Sequence, residues 1–209
     1  MPKRVDHEER RAEIAEALLR VAARRGLHAV SMRDVAAEAG VSLRLVQYYF
    51  ETKEKLLLHG LRHLAGRFGE RVRARVRAAG PDPGPRAVVV AMLTAALPTD
   101  EESRVFHLVY TSYAVLSVTD RALAAQPFVR DPDAAEGALL GLLRRAEEDG
   151  LVRPGVDVRV EAVSLLALSA GLGTGVLVGQ RDPEGAAAVL DHHLDRIFRD
   201  GPAGVGPRG

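Results

Sequence analysis

Residues 31–53 read SMRDVAAEAGVSLRLVQYYFETK, and this stretch decides the fold. Ser31 suits a helix N-cap, with Asp34 three residues on to approximate a capping box. Val35, Ala36 and Ala39 recur at helical spacing. Gly40 stands where that helix has to stop, because glycine takes a left-handed turn cheaply. Ser42 caps again, and Leu43–Phe50 make a second helix. Helix, glycine turn and helix form the arrangement whose second member fits a DNA major groove.

On the N-terminal side, residues 1–6 read as a short basic arm with PKRV at its centre. A helix is expected from about His7, with Ile14, Leu18, Val21 and Ala22 on one face. Arg24, Arg25 and Gly26 end it, cations suiting the C-terminal end of a helix. The first ~55 residues are thus expected to be three helices around a small core. That core takes Ile14, Leu18, Val21, Val30, Val35, Ala36, Val41, Val46 and Phe50.

On the C-terminal side, Thr52 caps a long helix over 53–79. Its first half has an apolar stripe of Leu56, Leu57, Leu61, Leu64 and Phe68. Its second half, RVRARVRAA, reads as a solvated arginine face that shields Val72 and Val76. GPDPGP at 80–85 is the clearest linker. Further helices are expected over 86–97, 101–123, 133–149, 158–180 and 184–199, with a loop at 126–132. The sixth helix is rich in aromatics. Residues 201–209, GPAGVGPRG, read as a disordered tail. The fold class is therefore all-α, about nine helices. Its expected domains are an N-terminal helix-turn-helix domain (1–52) and a larger helical domain (53–200).

Composition bounds the function. The chain has 209 residues, 47% hydrophobic and 27% charged, enough for a sizeable core. Cysteine is absent, which excludes disulfides and thiolate metal sites. No apolar run of about twenty residues and no signal-like N-terminus is seen, so a cytoplasmic protein without a membrane span is expected. Net charge is only +1, so any nucleic-acid site must come from local clustering.

Residues ~10–57 resemble the DNA-binding domain of the TetR family of bacterial transcriptional regulators. The stretches IAEALLRVAARRGLHAVSMRDVAAEAGVS and YYFETKEKLL carry the resemblance, without gaps across three helices. It implies a helical C-terminal domain that dimerises and often binds a small ligand. Gln47 departs from the common pattern, which has Tyr there. The C-terminal half is similar to that of betaine-inhibitor-type regulators.

For reading bases, the exposed N-terminal turn of the second helix offers Ser42, Leu43, Arg44 and Gln47, with Tyr48 beside them. Arg44 matches guanine O6 and N7, Gln47 matches adenine, and Leu43 matches a thymine methyl. Ser31, Arg33, Ser42, Tyr49 and Lys53 are placed for phosphates at helix starts, and Lys3 and Arg4 for a flanking groove. One such helix reads few base pairs, so a homodimer on a near-palindromic operator is expected. The last two helices supply its surface: Leu165, Leu168, Leu172, Val176, Val189, Leu190, His193, Leu194 and Ile197.

The resemblance also implies a ligand cavity between the fourth and eighth helices. Leu64, Phe68, Phe106, His107, Tyr110, Tyr113, Leu116 and Leu143 are its candidate lining, with Ser112 a further polar contact. His59 and His63 share a helix face but lack a third ligand, and His192 and His193 point about 100° apart. No metal or cofactor is expected. GLGTGVLVG lies in an apolar helix without a preceding strand, so it is not read as a nucleotide loop. The expected function is a ligand-responsive DNA-binding transcriptional regulator, a repressor released by a small molecule. The competing readings are a ligand-independent activator and, further off, a small helical enzyme with a histidine site.

Overall fold

The computed structural model describes residues 2–119 and 132–199, with side chains from residue 7 and, in the second stretch, from residue 135. Among the described residues there are nine α-helices: α1 (Pro2–Arg25), α2 (Met32–Glu38), α3 (Leu43–Phe50), α4 (Lys53–Ala78), α5 (Pro85–Ala95), α6 (Glu101–Thr119), α7 (Pro132–Glu148), α8 (Val158–Leu177) and α9 (Pro183–Ile197). The basic arm expected at the N-terminus is instead the first turn of α1, with Pro2 at a position where its missing N–H is harmless. The tail at 201–209 and most of the loop expected at 126–132 lie outside the described residues.

The chain forms two compact units, one of Met1–Gly69 with Arg104–Asp131 and one of Glu70–Ser103 with Pro132–Gly209. They do not follow the boundary expected at residue 52. The first half of α4 and nearly all of α6 share a unit with α1–α3, because their apolar faces enter the same core.

In the first unit, α1, α2, α3, α4 and α6 surround Ile14, Leu18, Val35, Val46, Phe50, Leu56, Leu61, Val109 and Tyr113. Each such leucine or phenylalanine contributes roughly 1.5–3 kcal/mol by leaving water. Gly60 lets α4 approach α1 closely: a Cβ built there would stand 2.3 Å from Leu18 Cδ2. Charges add a second tie. Arg20 bonds Glu38 at 2.7 Å and Arg25 bonds Asp34 at 2.8 Å, while Arg24 also bonds Glu38, so three arginines of α1 hold the carboxylates of α2.

The second unit packs α5, α7, α8 and α9 around Val89, Leu93, Leu139, Leu143, Leu165, Leu172, Leu190, Leu194 and Ile197. The buried Ser169 hydroxyl donates to Leu93 O at 3.2 Å, which satisfies the one polar side chain that α8 turns inward. The segment LVRPGVD after α7 reaches the end of α9. Arg153 N donates to Ile197 O at 2.9 Å and Arg199 N donates to Leu151 O at 2.8 Å, around a bridge between Val152 and Phe198. By length and composition α8 is long and apolar enough to cross a membrane, a correction to the reading that no such run exists. Its Leu165 and Leu172 instead enter the core.

Candidate functional site

The helix-turn-helix is built by its caps. Ser31 Oγ accepts the Asp34 N–H at 3.1 Å, and the Asp34 carboxylate accepts the Ser31 N–H at 3.2 Å, so the capping box is complete. The Asp34 carboxyl lies below its ordinary range, held there by the Ser31 hydrogen bond and by Arg25. α2 ends in a Schellman turn. Gly40 has φ +66°, and Val41 N–H reaches back to Ala36 O at 2.9 Å. Ser42 then caps α3, its hydroxyl accepting from Leu45 N at 3.2 Å.

α3 has one buried side and one open side. Val46 and Phe50 are fully inside, with Val41 and Leu43 packed at the margin. Ser42, Arg44, Gln47 and Tyr48 face outward, Tyr48 with 72% of its surface exposed. Among the described residues no ion pair engages Arg44 or Arg33, so both guanidiniums remain available to an incoming partner. Tyr49 packs edge-on against His7 at 4.5 Å, and the two tyrosines meet at 5.4 Å.

Two expected phosphate contacts are otherwise engaged. The Ser31 N–H and hydroxyl both bond Asp34, which puts a carboxylate at the α2 N-terminus. Lys53 Nζ donates to His28 O at 3.3 Å. The side chains of Lys3 and Arg4 lie outside the described ones.

Arg11 fixes α3 from behind. Its guanidinium donates to Tyr49 O at 3.3 Å and lies 4.9 Å above the Phe50 ring. His59 packs against the same Phe50 ring, 5.2 Å between centroids, with its Nδ1 3.5 Å from the Arg11 guanidinium. Burial and the neighbouring Arg11 charge push the His59 imidazole below its ordinary pKa, towards the neutral form. Sequence reading missed this staple, because nothing in the spacing of residues 11, 50 and 59 announces it. His63 does not turn to His59 but bonds Glu16 at 2.6 Å, and Arg67 bonds the same carboxylate at 2.7 Å. Burial alone would raise the Glu16 carboxyl, but the His63 hydrogen bond and the Arg67 charge hold it below its ordinary value.

Seven of the candidate ligand residues lie in the first unit. Phe68 and Phe106 stack at 4.5 Å and Phe106 and Tyr110 at 6.0 Å, three nearly parallel rings. Tyr110 keeps 39% of its surface exposed, while Tyr113, His107 and Leu64 are buried and Leu116 packs against the core. The Ser112 hydroxyl turns back onto Leu108 O at 2.8 Å. The eighth residue, Leu143, is fully buried in the core of the second unit, not among the rings.

The candidate dimer residues divide sharply. Leu165, Leu172, Leu190, Leu194 and Ile197 are buried inside their own chain, and Leu168 and Val176 are partly so. Their side chains therefore fill the protomer's own core. The outward row of α8 is a different one: Val160, Val163, Ala167, Ala170 and Thr174 recur three or four apart, and the C-cap Val178 continues it. Val189 on α9 is 37% exposed. His193 bonds Glu161 at 2.9 Å and, with Asp157 and Arg196, lines a cavity of about 270 Å³ at the start of α8.

Comparison with known proteins gives a consistent result. Residues 14–59 match the model of bacterial regulatory proteins of the tetR family, and residues 85–199 match that of the BetI-type transcriptional repressor C-terminal domain. The HTH-type transcriptional regulator PksA of Bacillus subtilis is 31% identical over 173 residues, 82% of this chain and 80% of that protein. A transcriptional regulator from Rhodococcus sp. Rha1 superposes with a TM-score of 0.75 at 28% identity, over 92% of this chain and 99% of that one. A transcriptional regulator from Saccharomonospora viridis, solved in complex with choline, gives 0.77 at 26% identity over 92% and 100%.

Proposed function

This chain belongs to the TetR family of bacterial regulatory proteins, DNA-binding transcriptional regulators, and from that premise we propose that it represses transcription as a homodimer and lets go of its operator when a small molecule binds. One observation supports the reading most: α3 is capped and buried on one side and presents Arg44, Gln47 and Tyr48 on the other. Arg44 reads guanine through two hydrogen bonds, and Gln47 reads adenine in the same manner. Ser42 and Leu43 sit at the same turn. Arg33, Tyr49 and Lys53 position the unit on the phosphates, Lys53 by exchanging the His28 carbonyl for a phosphate oxygen.

Pairing doubles the number of bases read and makes the operator near-palindromic. The outward row of α8 suits it, because its small side chains let a second helix come close. The resemblance to BetI-type repressors supports the direction of control. For the ligand, the stacked Phe68, Phe106 and Tyr110 support a compact organic cation, which aromatic faces attract. Choline, bound by the Saccharomonospora relative, is the first compound to try.

Footprinting of the DNA flanking the gene tests this reading. The expected result is a protected near-palindrome that choline or a related ammonium releases. Protection by a monomer in sedimentation, or a footprint indifferent to every ammonium compound while transcription rises on binding, would overturn it. Val163→Glu, at a position 51% exposed, should leave the chain folded and monomeric.

A further inference from the structure

The arginine run of α4 is not one solvated face. In RVRARVRAA, residues two apart on a helix point to opposite sides and residues four apart share one. Arg73 and Arg77 are exposed accordingly, Arg73 pairing locally with Glu70. Arg71 and Arg75 turn inward within the second unit. The Arg71 side chain retains only 14% of its exposure.

Among the described residues, the carboxylates beside these two cations both sit on Arg71, and Arg75 has none within ion-pair distance. Arg71 Nη2 donates to Asp100 Oδ2 at 2.5 Å and to Thr99 Oγ1 at 3.3 Å, and Glu102 stands 3.7 Å from its other terminal nitrogen. Its Nε–H is buried with no hydrogen-bond partner, an arrangement that proteins seldom leave unfilled. Arg75 has two long contacts to hydroxyls, Thr94 at 3.3 Å and Thr99 at 3.5 Å, and no ion pair among the described residues. Asp100 is already shared. Besides Arg71 it accepts the Ser103 N–H and the Ser103 hydroxyl, each at 2.9 Å, as the cap of α6. Burial and the Arg71 charge draw the Arg75 guanidinium below the ordinary arginine value. A bound anion would reverse that.

We propose that Arg71, Arg75 and the Thr99 hydroxyl form a site for one oxyanion group, a carboxylate or phosphate, on a small molecule. A guanidinium fork matches two oxygens of such a group, and the orphaned Arg71 Nε–H supplies a donor that no protein group uses. Thr94 is excluded as a donor, since its hydroxyl proton goes to Val90 O at 2.7 Å; it only props Arg75. Thr99 accepts from both arginines and retains its own proton to donate. With Arg71 mostly enclosed, the site would admit at most a single head group and not a polyanion backbone. The site shares no residue with α3 or with the aromatic rings, so it goes beyond the function proposed above and stands or falls separately.

Arginine Nε–H NMR on the full-length chain tests it. Sodium acetate and inorganic phosphate are titrated separately, each against sodium chloride at equal ionic strength. A saturable shift of the Arg71 and Arg75 signals, absent with chloride, is expected from one anion or both. Acetate alone would assign the site to carboxylates, and phosphate alone to phosphate esters. Arg75→Gln should weaken saturation at least about tenfold, and Arg75→Lys by less. Thr99→Val leaves both charges in place and should weaken it several-fold, a check that survives if Arg75→Gln fails to fold. Shifts that grow linearly and match chloride would overturn the proposal. So would saturation unchanged in Arg75→Gln or in Thr99→Val.

Discussion

Helices α3 and α8 are built on opposite plans. α3 has eight residues, two of them buried, and its placement comes from contacts at its ends and back: the Ser42 cap, the Arg11 staple and the turn into α4. α8 has twenty residues and is held along its length by leucines that enter a core shared with α5, α7 and α9. The short helix therefore depends on a few specific groups, and its outer face is left for chemistry. The long one spreads its hold over many equivalent contacts, and its outer face is itself apolar. A change on the outer face of α3 should be felt at one function; a change on the inner face of α8 should be felt as general stability.

The largest effects come from emptying each core. Phe50→Ala should lower unfolding stability by about 3–5 kcal/mol and Leu165→Ala by about 2–5, read from urea midpoints. DNA retention at low temperature should vanish in the first and persist in the second; retention lost equally in both would break the contrast. Gly60→Ala comes next, at about 1–3 kcal/mol, because the new methyl meets Leu18. Adding Leu18→Ala to that variant should recover part of the loss relative to Leu18→Ala in the parent. Strict additivity would show that the helices do not touch there.

Arg44→Ala should leave stability within about 0.5 kcal/mol yet cost about 1–3 kcal/mol in specific binding. Arg33→Ala should weaken specific and random DNA alike and flatten the salt slope by about one unit. Equal losses on both DNAs from both variants would sink that division of labour.

Acid gives the smallest effect. Burial opposes ionisation of Asp100, but hydrogen bonds from Arg71 and Ser103 prevail and hold its carboxyl at about 2, below the ordinary 3.8. A depressed pKa stabilises the folded state above the unfolded value, and that stability is lost as pH falls from 3.8 through about 2. Asp100→Asn should flatten the fall of the melting midpoint in that window. An unchanged acid slope would remove Asp100 from the account.

The two helices also differ in how far they could be read beforehand. In α3 polarity changes sharply around the helix, so Val46 and Phe50 had to go in and Arg44 and Gln47 out. The same contrast made the core of α1 and α2 legible. α8 is apolar on every side, and its hydrophobic residues cannot tell a neighbour in the same chain from one in another. By pattern Leu165 and Leu172 suit a partner contact as well as a core, and they are core, while the smaller Val160, Val163 and Ala167 remain outside. Volume decided what polarity could not. A run of identical charges hides its sides as well: nothing in RVRARVRAA distinguishes Arg71 from Arg73. The Arg11 staple needs a fold to bring residues 11, 50 and 59 together, so no local pattern foretold it.

One joint remains. α3 ends at Phe50 and α4 begins at Lys53. Between them Glu51 adopts φ 57° and ψ −56°, with Thr52 N–H bonded to Phe50 O, a tight γ-turn. Such a joint has no slack, so α3 moves with the first turn of α4 like a crank on its shaft. At ~1.5 Å per residue α3 is a rod about 12 Å long. A tilt of about 10° at the joint swings its far end, where Ser42 and Arg44 sit, by about 2 Å, enough to pull a hydrogen bond out of range. Glu51→Gly would relax the turn and loosen the crank, so this elbow sets how much motion the reading face inherits from α4.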